Sequence, residues 1–394
     1  MLRLLPLLFS AFVLSALPLH AVELGIDVLQ KNNFDLLRGK RVGLVTNQTG
    51  VNSAGEKTRL ILRKHVNLVA LYTPEHGLDG TEKAGVEIRS RKDPLTGLKA
   101  WSLYGDTRKP TPEMLAGIDV LVIDIQDIGC RSYTYISTMG KCLQACAEQG
   151  KELLILDRPN PLGGNRVEGM GIDPKWISFV GQFPIPYVHG LTMGELALMA
   201  NAKGWMGPRC NLQVVKMRGW SREMTWPMTG LRWVPTSPNI PLAMSPNYYV
   251  ITGIVGGLAG GLDLGLFSPR AFQVLGAAWM KQGKMISYLR SRAPGVGVVP
   301  ASTASGPAVL FEANPAGGGD LTAAALYTLA ECDRQSRGLI FTKAGTSMMN
   351  LFYKVYGSDR IRRDLVTKGP ERIVASWRPF LERFRAERQP FLLY

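Results

Sequence analysis

The stretch Asp119-Val-Leu-Val-Ile-Asp-Ile125 indicates the fold more clearly than any other part of the chain. It is a short apolar run bounded by acidic residues, which is typical of a strand buried on both faces of a parallel sheet. Similar runs cover residues 41–47, 67–72, 152–157 and 212–217. Helical patterns cover residues 55–65 and 136–149. A third helix is expected to begin at a capping box at residues 192–195 and to end near residue 201. This alternation of short strands and helices predicts βαβ units and an α/β fold with a parallel sheet.

The capping box consists of Thr192 and Glu195. A Thr at the start of a helix and a Glu three residues later can each accept a hydrogen bond from the other residue's backbone N–H. The pair therefore marks the first turn of the third predicted helix.

The residue pattern of the sequence changes after residue 235. Its 394 residues are enough for two or three domains of ~150 residues, and 46% apolar with 20% charged residues is an ordinary globular composition. The stretch Pro235-Thr-Ser-Pro-Asn-Ile-Pro241 cannot be a helix because of its three prolines, so it is a linker or a loop that borders a cleft. Residues 253–265 are rich in glycine, and residues 320–394 are mostly helical in pattern. We place the predicted domains at residues 22–235 and 236–394.

The first 21 residues have the pattern of a signal peptide. Arg3 is followed by an apolar run from residue 4 to residue 17, and Ala21 stands at a plausible cleavage point. The alternative is a buried N-terminal helix. The run is shorter than the ~20 residues of a membrane span, and no cysteine lies near Ala21 for a lipid anchor. We therefore predict an exported protein, periplasmic or extracellular, without a stable membrane anchor after cleavage.

The charge and the cysteines limit the classes of partner. Removing residues 1–21 takes away one arginine and no acid, which lowers the formal net charge from +15 to +14. A basic exported protein is attracted to acidic envelope polymers, and the absence of zinc-ligand spacing or a helix-turn-helix signature argues against nucleic acid. Cys142 and Cys146 share one face of a helix and are either buried apolar groups or one disulfide. Three remaining histidines make a metal site unexpected. The oligomeric state is left open.

Polar residues follow the predicted strands, at the edge where open α/β sheets hold their ligands. These residues are Asn47, Glu75, Asp127, Asp157 and Arg158. In the stretch Thr73-Pro-Glu-His-Gly77, Pro74 fixes one backbone angle and Gly77 permits a turn, so Glu75 and His76 lie on a constrained loop suited to proton transfer. The alternative is a Glu that caps a helix or lies on a solvated loop.

Two other polar stretches offer groups for binding. Arg131 and Tyr133 follow the 119–125 strand, and a cation beside aromatic rings suits a sugar that bears a carboxylate. The alternative is that Arg131 pairs with Asp127 and that the tyrosines fill the core. Asp157 can act as a second carboxylate, orient Arg158, or cap a turn, and glycosidases use two carboxyl groups about 5–5.5 Å or 6.5–9.5 Å apart. The Gly-rich segment has neither a Gly-Lys-Ser/Thr sequence nor Gly-x-Gly-x-x-Gly spacing, which are the signatures of nucleotide-binding loops. A nucleotide is therefore not expected.

In this order, the motifs resemble those of the exo-β-N-acetylmuramidase family, the NamZ-like glycoside hydrolases long known as DUF1343. The stretches that carry the resemblance span nearly the whole chain after residue 21. They are Gly25-Ile-Asp-Val-Leu29, Gly39-Lys-Arg-Val-Gly-Leu-Val-Thr-Asn-Gln-Thr-Gly50, Pro74-Glu-His-Gly77, Ser102-Leu-Tyr-Gly105, Asp124-Ile-Gln-Asp-Ile-Gly129, Arg131-Ser-Tyr-Thr-Tyr135, Leu156-Asp-Arg-Pro-Asn-Pro161, His189-Gly-Leu-Thr-Met-Gly-Glu195, Pro235-Thr-Ser-Pro-Asn-Ile-Pro241 and Arg388-Gln-Pro-Phe-Leu-Leu-Tyr394.

The resemblance implies a Rossmann-like N-terminal domain, a smaller α+β C-terminal domain, and an active-site cleft between them. It implies release of terminal N-acetylmuramic acid from the non-reducing end of peptidoglycan fragments, without a cofactor or a metal. It also implies that Glu75 is the catalytic carboxylate, here a general acid/base with His76 beside it. The other predicted site residues are Asp127 or Asp157 as the second carboxylate, Arg131, Arg158 and His189 for the lactyl carboxylate of the sugar, and Asn47, Tyr133 and Asn160 for its ring substituents.

One segment departs from the family pattern. Where relatives carry Glu-Gly-Thr-Asn and then an Arg-Gly-Thr-rich stretch, residues 254–265 here are Ile-Val-Gly-Gly-Leu-Ala-Gly-Gly-Leu-Asp-Leu-Gly. We therefore expect a different substrate wall at this place. The alternative function is a cell-wall glycan-binding protein that is non-catalytic or has altered specificity. An esterase or amidase ranks lower because no nucleophile elbow or metal signature is present.

Overall fold

A seven-stranded sheet forms the first part of the protein in the computed structural model, which describes residues 22–314 and 316–394. The strands are β1 (Arg41–Thr46), β2 (Asn67–Thr73), β3 (Arg91–Lys92), β4 (Lys99–Ser102), β5 (Val120–Asp124), β6 (Glu152–Leu156) and β7 (Asn211–Val215). Their order across the sheet is β3-β4-β2-β1-β5-β6-β7. All neighbouring strands are parallel except β3 and β4, which are antiparallel. The predicted signal peptide lies outside the described residues.

A smaller antiparallel sheet lies in the second half of the chain. It consists of β8 (Val274–Gly276), β9 (Val296–Thr303) and β10 (Gly306–Ala313), in the order β8-β10-β9. A parallel sheet followed by this small sheet and its helices confirms the predicted α/β fold with a smaller α+β part. The predicted boundary at residue 235 lies between β7 and the next helix, and its exact position stays a prediction.

Helices cover both parts of the chain. They are α1 (Gly25–Lys31), α2 (Thr58–His65), α3 (Pro112–Leu115), α4 (Tyr135–Glu148), α5 (Met193–Lys203), α6 (Ser245–Thr252), α7 (Gln282–Arg292), α8 (Leu321–Gln335), α9 (Leu339–Thr342), α10 (Thr346–Tyr356), α11 (Ile361–Thr367), α12 (Pro370–Ser376) and α13 (Arg378–Arg388). Short 3₁₀ turns lie at Asp35–Leu37, Pro174–Trp176, Trp226–Thr229, Val255–Gly257 and Gln389–Phe391. The helices predicted at 55–65, at 136–149 and after the capping box are confirmed as α2, α4 and α5.

The local sequence explains how the central elements form. Every residue of β5 is buried, because helices cover both faces of the parallel sheet. Thr192 and Glu195 form the predicted capping box, which satisfies backbone N–H groups at the start of α5. All five cysteines lie in the described part of the chain, buried and without a disulfide, so the single-bridge alternative is not formed.

The topology gives the sheet one switch point. From β1 the chain proceeds to β2 on one side, and it later returns to β5 on the other side of β1. The loops that leave β1 and β5 therefore diverge, and they open a crevice at the carboxyl ends of the strands. Within residues 22–314 and 316–394, no helix is both long and apolar enough to cross a bilayer.

Candidate active site

Glu75 lies on a tight loop directly after β2. His76 and Gly77 both adopt left-handed backbone angles, with φ of 70° and 77°. Such an angle is uncommon for a residue with a side chain and is often retained at functional sites. The ring nitrogen Nδ1 of His76 lies 2.7 Å from the carbonyl oxygen of Glu82, which closes the loop. The constrained loop predicted from Pro74 and Gly77 is therefore present.

Two donors hold the carboxylate of Glu75. The backbone N–H of Gly85 donates to Oε1 at 2.8 Å, and the hydroxyl of Thr134, just before α4, donates to Oε2 at 2.6 Å. Only 7% of Glu75 is exposed, and its carboxylate accepts from the side chain of Thr134 and not from a backbone N–H of a helix. The alternatives of a helix cap and of a solvated loop are therefore wrong.

A cavity of about 350 Å³ opens beside Glu75. Tyr104, Tyr133 and Tyr249 line it together with Thr134 and Ser132. The hydroxyl of Tyr133 donates to Thr236 Oγ1 at 2.8 Å, and the ring of Tyr133 meets that of Tyr249 edge-on with centroids 5.9 Å apart. The cavity thus combines a carboxylate, hydroxyl groups and aromatic rings, which together suit a small polar ring.

Part of the cavity wall comes from the second half of the chain. Its glycine and apolar members are Ile240, Gly253, Gly256, Gly257, Leu264, Leu266, Phe272, Leu351 and Val355, and its polar members are Ser237, Asn239 and Tyr249. The segment that departs from the family pattern therefore lies along the cavity, as expected for a substrate wall. Asp263 is the one charged residue of that segment, and its Oδ1 accepts from the N–H of Gly265 at 2.9 Å. The Gly-rich segment thus contributes only glycine and leucine to the cavity lining.

Arg108 is linked to the cavity of Glu75 by one aromatic residue, Tyr104, which lines that cavity. The guanidinium of the exposed Arg108 stacks 4.7 Å from the ring centroids of both Tyr104 and Phe179. Burial and the adjacent Glu75 carboxylate raise the pKa of Tyr104, whereas the charge of Arg108 lowers it. Tyr104 therefore stays protonated at neutral pH and lies between the carboxylate and the cation.

The two other predicted carboxylates are buried outside the cavity lining. Asp127 accepts from the N–H of Gly129 at 2.7 Å, burial raises its pKa to about 7, and its charge acts on Tyr133. Asp157 accepts from Thr192 Oγ1 at 2.7 Å, from Gly194 N–H at 2.8 Å and from another hydroxyl. Burial raises the pKa of Asp157 to about 6. Asp127 thus approaches the site behind Tyr133 and stays a candidate, while Asp157 caps α5.

Arg131 does not face the cavity, contrary to the prediction. It is fully buried, and its Nη1 donates to the carbonyl groups of Met170 and Ile185 at 2.8 and 2.9 Å. Its Nη2 donates to those of Val355 and Tyr356 at 3.3 and 2.9 Å. The alternative pairing with Asp127 is not formed either. Arg131 instead joins two distant backbone segments.

Arg158 and His189 are also engaged elsewhere, so their predicted carboxylate-binding role is not supported. Arg158 forms a buried bidentate ion pair with Asp124, at 2.6 and 2.9 Å. His189 accepts from the N–H of Leu191 at 3.1 Å, and burial with the charges of nearby arginines lowers its pKa to about 3. A neutral, buried imidazole cannot attract a carboxylate.

The two predicted asparagines support loops and do not line the cavity. Asn47 Oδ1 accepts from the N–H and the hydroxyl of Thr49. Asn160 donates to the carbonyl oxygen of Leu191 and accepts from the N–H of Leu162, both at 3.0 Å. Of the predicted site residues, the structure brings Glu75, His76 and Tyr133 to the cavity.

Sequence reasoning missed four residues of this site. Tyr104 lies just past β4, in the stretch Ser102-Leu-Tyr-Gly105, and the short β4 has no strand pattern that would mark it. Thr134 lies within the stretch Arg131-Ser-Tyr-Thr-Tyr135. Tyr249 and Phe272 carry no local signal, because only the fold brings them here.

The site contains no group of metal ligands. No three His, Cys, Asp or Glu side chains in residues 22–314 and 316–394 are arranged to hold an ion. The fold and the cavity define a two-domain α/β protein with a buried carboxylate placed for acid–base chemistry on a small polar ring.

Comparisons with known proteins agree with this class. Residues 42–244 match the family model described as exo-beta-N-acetylmuramidase NamZ, N-terminal, and residues 247–394 match its C-terminal counterpart. The chain belongs to the exo-β-N-acetylmuramidase NamZ family. It is 43% identical over 278 residues to the peptidoglycan beta-N-acetylmuramidase NamZ of Bacillus subtilis (strain 168), which covers 70% of this chain and 66% of that protein.

Two solved structures share the fold. A DUF1343 family protein of Bacteroides fragilis is 42% identical, with a TM-score of 0.87 over 95% of this chain and 99% of that one. A second DUF1343 protein of the same organism is 28% identical, with a TM-score of 0.71 over the same shares. The similarity thus extends through both parts of the chain.

Proposed function

We propose that this protein is an exo-acting glycosidase that releases terminal N-acetylmuramic acid from the non-reducing end of peptidoglycan fragments. One observation carries the proposal: the carboxylate of Glu75 lines the cavity and is held by the Gly85 N–H and the Thr134 hydroxyl. Membership in the NamZ family and the name of the Bacillus subtilis relative support the substrate class.

The geometry suits acid–base catalysis on one sugar unit. Glu75 donates a proton to the glycosidic oxygen as the bond to the anomeric carbon breaks, the oxygen of a water molecule then bonds to that carbon, and the proton lost by the water returns to Glu75. The two donors keep its carboxyl group in one orientation. The volume of about 350 Å³ is near the lower end of the usual ~300–1,000 Å³ range for ligand pockets, which favours a terminal unit over an extended chain.

For Arg108 we propose the carboxylate-binding role that was predicted for Arg131, Arg158 and His189. It is exposed and stacks on Tyr104, which lines the cavity. We propose that its guanidinium pairs with the lactyl carboxylate that distinguishes muramic acid from glucosamine. The planar fork of an arginine matches a carboxylate in two hydrogen bonds.

The test uses a chromogenic N-acetylmuramic acid glycoside. Glu75→Gln keeps the size of the side chain and its capacity for hydrogen bonds, but it cannot transfer a proton. We therefore expect kcat to fall about 10²–10⁴-fold. Glu87→Gln, an exposed change in the same connection between β2 and β3, is the matched control and should retain turnover. Wild-type turnover by Glu75→Gln would overturn the proposal.

The same assay tests the cation. Arg108→Gln should raise KM about tenfold with little change in kcat, which corresponds to ~1.4 kcal/mol. Arg89→Gln, an exposed arginine that does not line the cavity, is its control. Equal KM values for the two variants would remove Arg108 from substrate recognition.

The glycine and leucine lining contributed by residues 253–265 favours one alternative, a glycan-binding protein that is non-catalytic or has altered specificity. It predicts retention of the protein on peptidoglycan without release of reducing sugar.

We also propose that the protein is exported, to the periplasm or beyond the cell. The charged start, apolar run and small residue at position 21 support export, and an exported location would bring the protein to peptidoglycan.

A further inference from the structure

A second cavity lies at the switch point of the large sheet. It has a volume of about 170 Å³ and is lined by residues that follow β1, β5 and β6, among them Thr49, Gln126 and Arg158. Open α/β sheets hold their ligands at this position. An engineered cavity of about 150 Å³ is known to hold benzene, so this one has room for a six-membered ring.

One loop separates the second cavity from the cavity of Glu75. Pro235 lines the second cavity, and Ser237 lines the first. Thr236 between them is fully buried, and the hydroxyls of Tyr133 and Tyr135 donate to it at 2.8 and 2.6 Å. The partition is therefore fixed, and the two cavities are neighbours.

The lining of the second cavity combines aromatic rings with polar atoms that lack partners. Trp226 and Trp233 meet edge-on with ring centroids 4.8 Å apart. The indole N–H of Trp226 and the side-chain oxygen of Gln126 are buried, and neither has a hydrogen-bond partner in the described part of the protein. Buried polar groups are nearly always hydrogen-bonded in folded proteins, and a ligand at this cavity is one source of partners for these two groups.

The chemistry of that ligand follows from the unpaired groups. A sugar hydroxyl both donates and accepts, so adjacent hydroxyls satisfy an N–H and a carbonyl oxygen. Arg232 is exposed at the same cavity, and no acidic partner lies within ion-pair distance among the described residues. An indole surface, these two groups and a free cation match a ring that bears hydroxyls and a carboxylate.

We propose that the second cavity binds a carboxylate-bearing amino-sugar ring of a peptidoglycan strand, apart from the ring at Glu75. The identity of the sugar rests on the proposed function, whereas the existence of the site does not. The ring belongs either to the strand being cleaved or to a neighbouring strand. In both cases the site holds the polymer while Glu75 acts on its terminal unit.

Two variants test the site without touching the Glu75 cavity. Val234→Phe fills the second cavity, and Arg232→Gln removes its cation. Arg383→Gln, an exposed arginine on α13 that lines neither cavity, is the matched control. The substrates are a chromogenic muramic acid glycoside with one ring, a soluble peptidoglycan tetrasaccharide, and insoluble glycan strands freed of peptides.

We expect both variants to raise KM about tenfold on strands and to leave the single-ring glycoside within twofold of wild type, because each tenfold corresponds to ~1.4 kcal/mol of binding. A rise that includes the tetrasaccharide assigns the ring to the same strand, and a rise on insoluble strands alone assigns it to a neighbour. Unchanged KM on every polymer overturns the site.

A binding measurement separates this site from the proposed activity. Glu75→Gln protein is sedimented with the insoluble strands, alone and combined with Val234→Phe. Weaker retention of the double variant supports the site even if the wild-type protein cleaves nothing, in which case the glycosidase proposal fails by itself. Equal retention with normal wild-type cleavage overturns the site and leaves the glycosidase in place.

Discussion

Arg131 offers the most direct test of the structural assignments. Its guanidinium is fully buried and donates to four backbone carbonyl groups. No carboxylate among the described residues forms an ion pair with it, and burial lowers its pKa to about 10. Arg131→Lys keeps the positive charge but replaces the planar fork with a single ammonium.

The expected loss follows from the number of donors. A lysine ammonium has three N–H groups, so at least one of the four carbonyl groups loses its charged partner. A hydrogen bond to a charged group contributes about 1.5–3 kcal/mol to the free energy of unfolding. At ~2–4 °C per kcal/mol for a domain of this size, Tm should fall by roughly 3–12 °C.

The assay pairs thermal unfolding with kinetics. Tm is measured for wild type, Arg131→Lys and the exposed control Arg383→Lys, and KM for the muramic acid glycoside is measured well below the transition. We expect KM to be unchanged in both variants, because Arg131 does not line the cavity. An unchanged Tm with a KM raised tenfold or more would refute this reasoning and restore Arg131 as a substrate-binding residue.

Two further predictions concern pH and export. The folded-state pKa of His189 is about 3, and the unfolded chain binds the proton below ~6.5, so acidification from pH 8 to pH 5 costs about 2 kcal/mol at this residue. In urea unfolding at both pH values, His189→Gln should lose that much less stability than wild type, and an equal loss would contradict the assignment. Export predicts that the protein recovered outside the cytoplasm has the mass of a chain whose first residue lies near Val22. Recovery of only the uncleaved chain would contradict export.

The sequence predicted the elements whose signals are local. β1, β5 and β6 are continuous apolar runs that end in polar residues, and the cap of α5 is a spaced pair of side chains. β3 has two exposed residues, and β4 begins with Lys99, so neither shows a strand pattern. β8 and β10 are defined by pairing between segments distant in sequence, which a local pattern does not contain.

The site divides in the same way. Glu75 was predictable because Pro74 and Gly77 constrain its loop from within five residues. Tyr249 was not, because its contact with Ser132 joins positions 117 apart. The surroundings of Arg158 were not predictable for a related reason: its residue type is visible in the sequence, but the ion pair with Asp124 that engages it is not. The chemistry of a side chain is local, and its availability is set by the fold.

Tyr394 joins segments of the protein that are distant in sequence. Its hydroxyl donates to Asp157 at 2.8 Å across 237 positions and accepts from the backbone N–H of Met217. Its ring packs beside Trp220, in the same small cluster as Val22. A contact of such long range forms only after the sheet it grips has assembled. Until then the segments around Val22 and Met217 are not joined to Tyr394, and the chain stays open to proteases there.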